Sequence, residues 1–266
     1  MYRVRYSFLL FLFPFVLSCQ KVIDIQVKES DTRYVIEGIV TNESAPWKVK
    51  ISQTNHFNAD NNFLNISGAV VKIRDNGIEH LLSEISPGVY QTSGVTGVPG
   101  HRYELSVAIN GESFSATCTM PQPVLPDTMY VAYGPFGQFR FASIGFTDPA
   151  GIDNGYRFIQ YVNGVKDPRI FWHDDELSDG DRALIMLDTG IDKKDDPRNI
   201  DSGDEVIIEM QILDRAMLNY WYTLRTGGGV GSGSIAAPAN PVTNLSGDAL
   251  GYFSAHTVSR KKVIVP

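Results

Sequence analysis

The sequence has few cysteines, no surplus of basic residues and none of the common catalytic motifs, and each shortage excludes a class of protein. Its two cysteines are too few for the disulfide framework that stabilises small secreted domains. The formal net charge of -7 and the pI near 5.2 provide no excess of lysine and arginine to replace the counterions of nucleic acid. We therefore expect no nucleic-acid partner.

The missing motifs are those that hold catalytic or phosphate-binding groups on one element. The chain contains no Gly-x-Ser-x-Gly nucleophile turn, no His-Glu-x-x-His zinc helix and no Gly-x-x-x-x-Gly-Lys phosphate loop. Its five histidines stand singly, so sequence spacing holds no two of them together. We expect a protein without a cofactor and without enzymatic activity.

The N-terminus carries the strongest positive signal. Two early arginines precede an apolar run from Phe8 to Leu17, which falls well short of the roughly twenty residues of a membrane-spanning helix. The run closes on Val16-Leu17-Ser18-Cys19, which resembles the bacterial lipobox, where a signal peptidase cuts before a cysteine that carries lipid. The pattern predicts a lipoprotein signal peptide over residues 1–18 and lipid attachment at Cys19. The alternatives are a buried strand and an ordinary cleaved signal with a chance cysteine.

Short alternating segments dominate the chain after a polar tether over residues 19–32. Between residues 33 and 120 they are separated by turn-forming groups such as Asp75-Asn76-Gly77, and Asn110-Gly111 is a strong hairpin signal. The pattern predicts an Ig-like or transthyretin-like β-sandwich of roughly seven strands. Cys118 lies in one alternating segment, which indicates a small buried side chain and not a reactive thiol.

Three prolines within six residues then interrupt regular pairing. They predict a stiff linker at residues 121–127, followed by a second β-rich domain over residues 128–266. In the second domain, Glu205–Leu213 carries an apolar face and a mixed face, which is typical of a half-buried strand. The basic segment Val258–Val265 is expected to form a solvated edge. The fold class is therefore all-β and mostly antiparallel.

One short helix is predicted near residues 214–225. Asp214 can cap it, a glycine run beginning at Gly227 would end it, and apolar residues recur at three- and four-residue spacing. The apolar residues are Met217, Leu218, Trp221, Tyr222 and Leu224. We expect them to form core and not a partner-binding face.

Several segments have an order that strand patterning alone would not generate. They are Val35-Ile36-Glu37-Gly38-Ile39-Val40-Thr41-Asn42, Ile66-Ser67-Gly68-Ala69-Val70-Val71, Gly88-Val89-Tyr90, Pro99-Gly100-His101-Arg102-Tyr103-Glu104-Leu105, Pro238-Ala239-Asn240-Pro241-Val242-Thr243-Asn244-Leu245-Ser246 and Leu250-Gly251-Tyr252-Phe253-Ser254-Ala255. With the lipobox cysteine, they resemble domain-of-unknown-function family 4249, a group of Bacteroidetes-type outer-membrane lipoproteins. The first half also resembles carboxypeptidase-regulatory and transthyretin-like sandwiches.

The resemblance implies a location and a partner, and it brings no catalytic residues. Members of the family are often encoded beside TonB-dependent outer-membrane receptors, which implies a lipoprotein that helps such a receptor to capture a glycan or peptide nutrient. The implied location is the outer membrane, facing the surface or the periplasm, and we favour the cell surface. Gln20-Lys21 departs from the acidic run that directs some such lipoproteins to the cell exterior.

An acidic segment is the best candidate for a metal site. It contains Asp174, Asp175, Glu176, Asp179 and Asp181. Alternating carboxylates are suitable ligands for calcium, which takes six to eight oxygens, but the ordered Asp-x-Asp-x-Asp-Gly loop is missing. We favour a solvated acidic loop, with a calcium site as the alternative and catalysis as the third interpretation.

A loop rich in aromatic residues is the best candidate for ligand binding. Tyr130, Tyr133, Phe136 and Phe139 cluster among glycine and proline in a segment that is too loop-like to bury all of them. Exposed aromatic rings on such loops stack sugars or grip peptides, whereas burial in the core is the competing interpretation.

Three functions are compatible with these features. We favour a non-enzymatic, lipid-anchored lipoprotein that assists a TonB-dependent receptor. The first alternative is an extracellular hydrolase of glycans or peptides that uses the acids near Asp174. The second is a structural or adhesive surface module without a ligand pocket.

Overall fold

Backbone pairing joins the alternating segments into β-sheets. A computed structural model describes residues 32–55, 64–134, 137, 139–191, 193, 196, 198–227 and 239–266. In this part of the chain, the strands before the prolines are β1 (Tyr34–Thr41), β2 (Lys48–Gln53), β3 (Leu64–Asn65), β4 (Val70–Asp75), β5 (Ile78–Leu81), β6 (Ser83–Ser86), β7 (Val89–Gln91), β8 (Arg102–Ile109) and β9 (Glu112–Thr119). The later elements are β10 (Thr128–Tyr133), β11 (Arg140–Thr147), β12 (Gly155–Val162), β13 (Val165–Lys166), β14 (Phe171–Asp174), β15 (Arg182–Met186), β16 (Glu205–Leu213), α1 (Arg215–Gly227) and β17 (Leu250–Ile264).

The predicted all-β, mostly antiparallel fold is confirmed. Among the described strands, the pairing of β1 with β17 is parallel and the remaining pairings are antiparallel. The hairpin predicted at Asn110-Gly111 is also present, with φ of 48° and 83° at the two residues. Positive φ at both central positions is what a tight hairpin turn requires, and it sets Ile109 opposite Glu112.

Strand β17 joins both halves of the molecule. Its residues 250–256 pair with β1, and its residues 257–264 pair with β16. The result is a ten-stranded sheet. Eight of its strands follow the path β13-β12-β16-β17-β1-β2-β7-β6, and the other two, β14 and β3, pair with β12 and β2. The sequence pattern indicates two separate segments at the ends of β17, whereas the structure has one continuous strand.

Two hydrophobic cores lie on one side of this sheet. The first is covered by the four-stranded sheet β5-β4-β8-β9, and the second by the three-stranded sheet β10-β11-β15. The first core includes the fully buried Ile36, Ile51, Ile73 and Phe253, and the second includes Phe146, Phe158, Ile208 and Met210. Phe253 belongs to β17, so the last strand of the chain completes the first sandwich.

The two cores do not divide strictly at the prolines, because Leu245, Phe253 and Ala255 belong to the first core, and the chain from Asp31 to Pro266 forms one compact unit. The domain limits at residues 120 and 128 stay a prediction. Within the linker, Val124 is buried in the second core, and its carbonyl accepts a hydrogen bond from Ser259 at 2.9 Å. The signal peptide at residues 1–18, Cys19, the tether apart from residue 32, and Phe136 lie outside the described residues.

Side chains form hydrogen bonds with the backbone of residues 251–255 of β17 on the edge that faces away from β1. Asn244 donates to the Phe253 carbonyl at 2.7 Å and accepts from the Phe253 N–H at 2.9 Å, which imitates a strand partner. Thr243 donates to the Gly251 carbonyl at 2.7 Å. The Ala255 N–H donates to Cys118 Sγ at 3.0 Å. The thiol is 5% exposed and burial raises its pKa, as expected for a structural cysteine.

The predicted helix is confirmed as α1. Asp214 caps it by accepting the Met217 N–H at 2.9 Å, and Met217, Leu218, Tyr220 and Trp221 are buried. Tyr222 was expected in the apolar face but is 45% exposed, because it points away from the row through residues 217, 221 and 224. In the described part of the chain, no helix has the length and apolar character needed to cross a bilayer.

The basic residues of β17 form the expected solvated edge only in part, since Arg260 and Lys262 are exposed whereas Lys261 is half-buried. Arg260 binds the buried Glu209, and Lys261 donates to the carbonyls of Pro126 and Asp127. The expected half-buried β16 is also buried on both faces, since Glu209 and Gln211 are each 6% exposed. Neighbouring elements therefore cover a polar sheet face that the sequence pattern assigns to solvent.

Gly251 provides a direct test of the β1–β17 pairing. It has a φ of 98°, and an added Cβ would lie 2.1 Å from the Ile36 carbonyl oxygen. We expect Gly251→Ala to lower the free energy of unfolding by about 3 kcal/mol or more, because backbone strain and displacement of β1 add together. Urea denaturation measures the change.

Gly77→Ala is the matched control, because Gly77 has a φ of 95° and open space around its Cβ position. It should lose only the roughly 1–2 kcal/mol of the left-handed conformation. Equal losses in the two variants would contradict the close approach of β17 to β1.

Candidate functional site

A cleft lies beside α1, on the face of the long sheet opposite the two cores. We call it the helix–sheet cleft; its cavity volume is about 200 Å³. Its lining includes Arg157, Gln211, Trp221, Tyr252, Ser254 and His256. These residues come from β12, β16, β17 and α1, so distant parts of the chain must pair before the cleft exists.

Strand alternation and register bring the polar side chains together. Residues two apart on a strand share a face, which places Tyr252, Ser254 and His256 in one row on β17. The register sets Arg157 of β12 directly opposite Gln211 of β16. Directly paired residues have side chains within contact distance, so the sheet itself builds a continuous polar surface under α1.

Glu209 and Arg260 form the best-paired part of this surface. The guanidinium of Arg260 donates to Glu209 Oε2 from Nε at 3.0 Å and from Nη2 at 2.6 Å. It also binds both carboxylate oxygens of Glu43. Glu209 Oε1 accepts from Gln211 Nε2 at 2.7 Å. Both oxygens of the buried Glu209 carboxylate therefore have donors.

Arg157 lacks such a partner. Its guanidinium carbon lies 3.6 Å from the centroid of the Trp221 ring, and Nη1 donates to Gln211 Oε1 at 3.1 Å. Among the described residues, no carboxylate lies within ion-pair distance of it, and its buried Nε has no hydrogen-bond partner. Burial lowers its pKa, but an arginine stays charged at neutral pH.

Beside the carboxylates of Glu43 and Glu209, the cleft holds His256 and Tyr252, which are neutral at physiological pH, as is the neighbouring Tyr220. Burial, followed by the charge of Arg157, lowers the pKa of His256 to about 3. Its Nδ1 lies 2.8 Å from Ser254 Oγ. Burial raises the pKa of Tyr220 to about 12 and raises the pKa of Tyr252. The Ser254–His256 contact is therefore not an activated nucleophile, because such a base would need a pKa near the working pH.

The acidic segment of the sequence meets an arginine. Arg215, at the start of α1, binds Asp174 through Nη1 at 2.9 and 2.8 Å and Asp175 through Nη2 at 3.1 Å. It also donates to Asp153 from Nε at 2.7 Å. The three carboxylates thus share one cation. Arg215 already supplies positive charge at the place where a calcium ion would otherwise reduce their repulsion. In the described residues, no group of three or more His, Cys, Asp or Glu is arranged to hold a metal ion.

The acids of that segment also take part in hydrogen bonds with neighbouring loops and turns. Asp175 is buried and accepts the Asn154 N–H at 2.9 Å, and the exposed Asp179 accepts the Gly151 N–H at 2.5 Å. Glu176 is exposed and donates its N–H to Asp174 at 3.2 Å. Asp181 is exposed, and its carbonyl accepts the Asp148 N–H at 3.0 Å.

A buried polar group lies beside this segment. Asp148 accepts a hydrogen bond from Tyr156, and burial, together with the charge of nearby Asp175, raises its pKa. His173 Nε2 lies 2.9 Å from Ser178 Oγ, and burial lowers the pKa of that histidine. Asp148 is 1% exposed and Ser178 is 6% exposed, so a substrate could not reach this group. Its role is therefore in packing.

The predicted aromatic loop is wrong for Tyr130 and Tyr133, which lie in strand β10 and pair with β11, but their side chains are partly exposed. Tyr130 and Tyr133 are 40% and 62% exposed, and Arg140 lies over the Tyr133 ring at 5.1 Å. Tyr133 and Phe139 line an open hollow of about 500 Å³ beside Ile200. This hollow and the helix–sheet cleft share no lining residue.

Sequence reasoning did not find the helix–sheet cleft. Two signals were available: polar residues alternate with apolar ones in β16, and Tyr252, Ser254 and His256 do the same in β17. Neither pattern shows that α1 covers these faces. Arg157 gives no signal, since a single arginine in a strand is usually solvated.

A family model described as a domain of unknown function (DUF4249) matches residues 20–262. No curated protein matches the sequence. The FN1-FN3 domains of chicken CNTN1 are 10% identical with a TM-score of 0.27; the match covers 70% of this chain and 61% of that one. Selenomethionine-substituted chicken interferon gamma receptor alpha chain is 6% identical with a TM-score of 0.21, covering 68% of this chain and 89% of that chain. Similarities this low carry no argument about this chain.

The shared cation predicts a pH-dependent variant. Burial opposes ionisation of Asp174, but hydrogen bonds from Arg215 and the Glu176 N–H, with the Arg215 charge, hold its pKa below the usual value. The native protein therefore gains stability above the unfolded pKa near 3.8 and loses it as pH falls through the native pKa. In Arg215→Gln the carboxylates repel one another instead, which raises the pKa of Asp174. We expect a loss of about 1–3 kcal/mol at pH 7 that shrinks toward pH 4.

Urea denaturation of both proteins at the two pH values measures this difference. Arg182→Gln is the control, because Arg182 pairs with Asp127 at the surface at 2.8 Å. It should cost well under 1 kcal/mol at either pH. A loss in Arg215→Gln that stays constant with pH would contradict the shared-cation arrangement.

Proposed function

Because the chain belongs to the DUF4249 family, we propose that it is a lipid-anchored outer-membrane lipoprotein that assists a TonB-dependent receptor in capturing a nutrient. The protein captures and hands over its ligand without transforming it. The lipid is attached to Cys19, and the folded part is displayed at the cell surface. The observation that carries the proposal is the Val16-Leu17-Ser18-Cys19 sequence at the end of a short apolar run.

The extent of the family match supports the anchor. The match begins at residue 20, directly after the cysteine, so residues 1–19 stand outside the family domain. This division is expected when residues 1–18 are an export signal and Cys19 is a modified first residue. The two-cysteine composition agrees with it, since Cys118 is buried and has a structural hydrogen bond.

The helix–sheet cleft supports ligand capture rather than hydrolysis. It combines aromatic rings with polar groups that can fix the orientation of a small molecule. A hydrolase that used Asp174 and Asp175 would need one carboxylate free to take or give a proton, whereas both bind Arg215. The cleft also distinguishes this proposal from a purely adhesive module, which would need no ligand pocket.

Lipid attachment is tested by labelling the full chain with radioactive palmitate in a bacterial host. We expect label in the natural protein and none in Cys19→Ser, because only Cys19 follows the signal sequence. Cys118→Ser is the matched control: its hydroxyl can accept the Ala255 N–H as the thiol does, so the protein should fold and keep the label. An unlabelled natural protein, or a Cys19→Ser protein that still sediments with membranes, would sink the anchoring proposal.

The receptor partnership is tested by mild crosslinking in native membranes, followed by purification of the tagged full chain. We expect mass spectrometry to identify a TonB-dependent receptor in the crosslinked product. The same receptor should be lost with Cys19→Ser, because the unanchored protein is diluted away from the membrane. Recovery of the anchored protein without any receptor would count against the partnership.

A further inference from the structure

The unpaired guanidinium of Arg157 is the least satisfied charge in the helix–sheet cleft. Its one hydrogen bond goes to the neutral Gln211, and its Nε is buried without a partner. Stacking on Trp221 at 3.6 Å offsets part of the cost of burying the guanidinium. A buried cation without an anion destabilises the fold, so a carboxylate beside Arg157 would stabilise it.

The acids nearest to Arg157 are already engaged. Glu209 shares its two oxygens between Arg260 and Gln211, and Glu43 binds Arg260. Both carboxylates line the cleft, but their hydrogen bonds go to Arg260 and Gln211 and not to Arg157. Arg157 is therefore the group in this cluster that can accept one additional acidic partner.

The rest of the lining fits a small molecule with a polar end and a flat apolar part. Ser254 and the neutral His256 offer uncharged hydrogen-bonding groups next to Arg157. The rings of Trp221 and Tyr252 have centroids 5.3 Å apart and form an aromatic wall. The volume of about 200 Å³ is below the roughly 300–1,000 Å³ of pockets for drug-sized ligands, which limits the ligand to a few functional groups.

We propose that the helix–sheet cleft binds a small carboxylic acid, whose carboxylate pairs with Arg157 and whose apolar part packs against Trp221 and Tyr252. The planar guanidinium matches a carboxylate in shape as well as charge. A single negative charge suits the site, because a doubly charged phosphate would face the nearby Glu209 and Glu43. The inference rests on the proposed capture function for its biological role and names its ligand class.

Three probes of equal shape and different charge test the proposal. Benzoate is anionic, benzamide is neutral and benzamidine is cationic. Isothermal titration calorimetry of the full chain in detergent should show benzoate binding at least about tenfold more tightly than the other two, because a charge-assisted pair forms only with the acid. No benzoate binding, or equal or tighter binding of benzamidine, would overturn the proposal.

Variants at Arg157 assign the binding to the cleft. Arg157→Gln should weaken benzoate at least about tenfold, and Arg182→Gln, which removes a surface arginine elsewhere, should leave the affinity unchanged. Unchanged benzoate affinity in Arg157→Gln would overturn the assignment. Arg157→Met should keep or raise the melting temperature while it abolishes benzoate binding, since it removes an unpaired buried charge.

This second variant keeps the test independent of folding losses. A folded Arg157→Met protein that still binds benzoate with the natural affinity would overturn the proposal. The result of this binding test is also independent of the result of the anchoring test. Purified protein can bind benzoate whether or not Cys19 carries lipid, and a lipidated protein can fail to bind it.

Discussion

The hydrogen bonds of β17 hold the rest of the structure in place. The first half of the strand completes one sandwich through β1, and the second half completes the other through β16. Each half presents apolar side chains to a different core, while its opposite face carries polar ones. The edge of the first half is closed by Asn244, Thr243 and Cys118, so its backbone groups stay paired where a further strand is missing.

The helix–sheet cleft follows from this arrangement. A strand that serves two cores on one face must bury its other face when a helix packs there, and the side chains on that face must then be satisfied by one another. Glu209, Gln211 and Arg260 achieve this across neighbouring strands. Arg157 does not, because its register partner is an uncharged amide. The same geometry that stabilises the sheet thus leaves one charge without a counterpart beside an open cavity.

Local patterns made much of the fold predictable. Alternation identified strands such as Glu205–Leu213, whose limits agree with β16, and the Asn-Gly pair at 110–111 identified a hairpin. These features depend on neighbours within about ten residues. The pairing of β1 with β17 does not, because a strand pattern states which face is apolar and never which strand lies beside it. The single sheet was therefore invisible in the sequence.

The sites were harder to predict for the same reason. The acids at 174 and 175 were found as a cluster, but Arg215 and Asp153 reach them only after β12, β14 and α1 come together. Tyr130 and Tyr133 are exposed although they lie in strand β10 and not in the loop that the sequence indicated. His256 looked like one more isolated histidine until β17 placed it under α1. Cys19 remains a deduction from sequence, since it lies outside the described residues.

The parallel pairing of β1 with β17 also has a consequence for folding. Val35 pairs with Leu250, so β1 cannot complete its pairing until the C-terminal strand β17 is present. Contacts this distant in sequence make folding slow, because the intervening chain must be ordered first. A partly synthesised chain that lacks β17 therefore has an incomplete first core, and the last residues to be made are among those that complete the first sandwich.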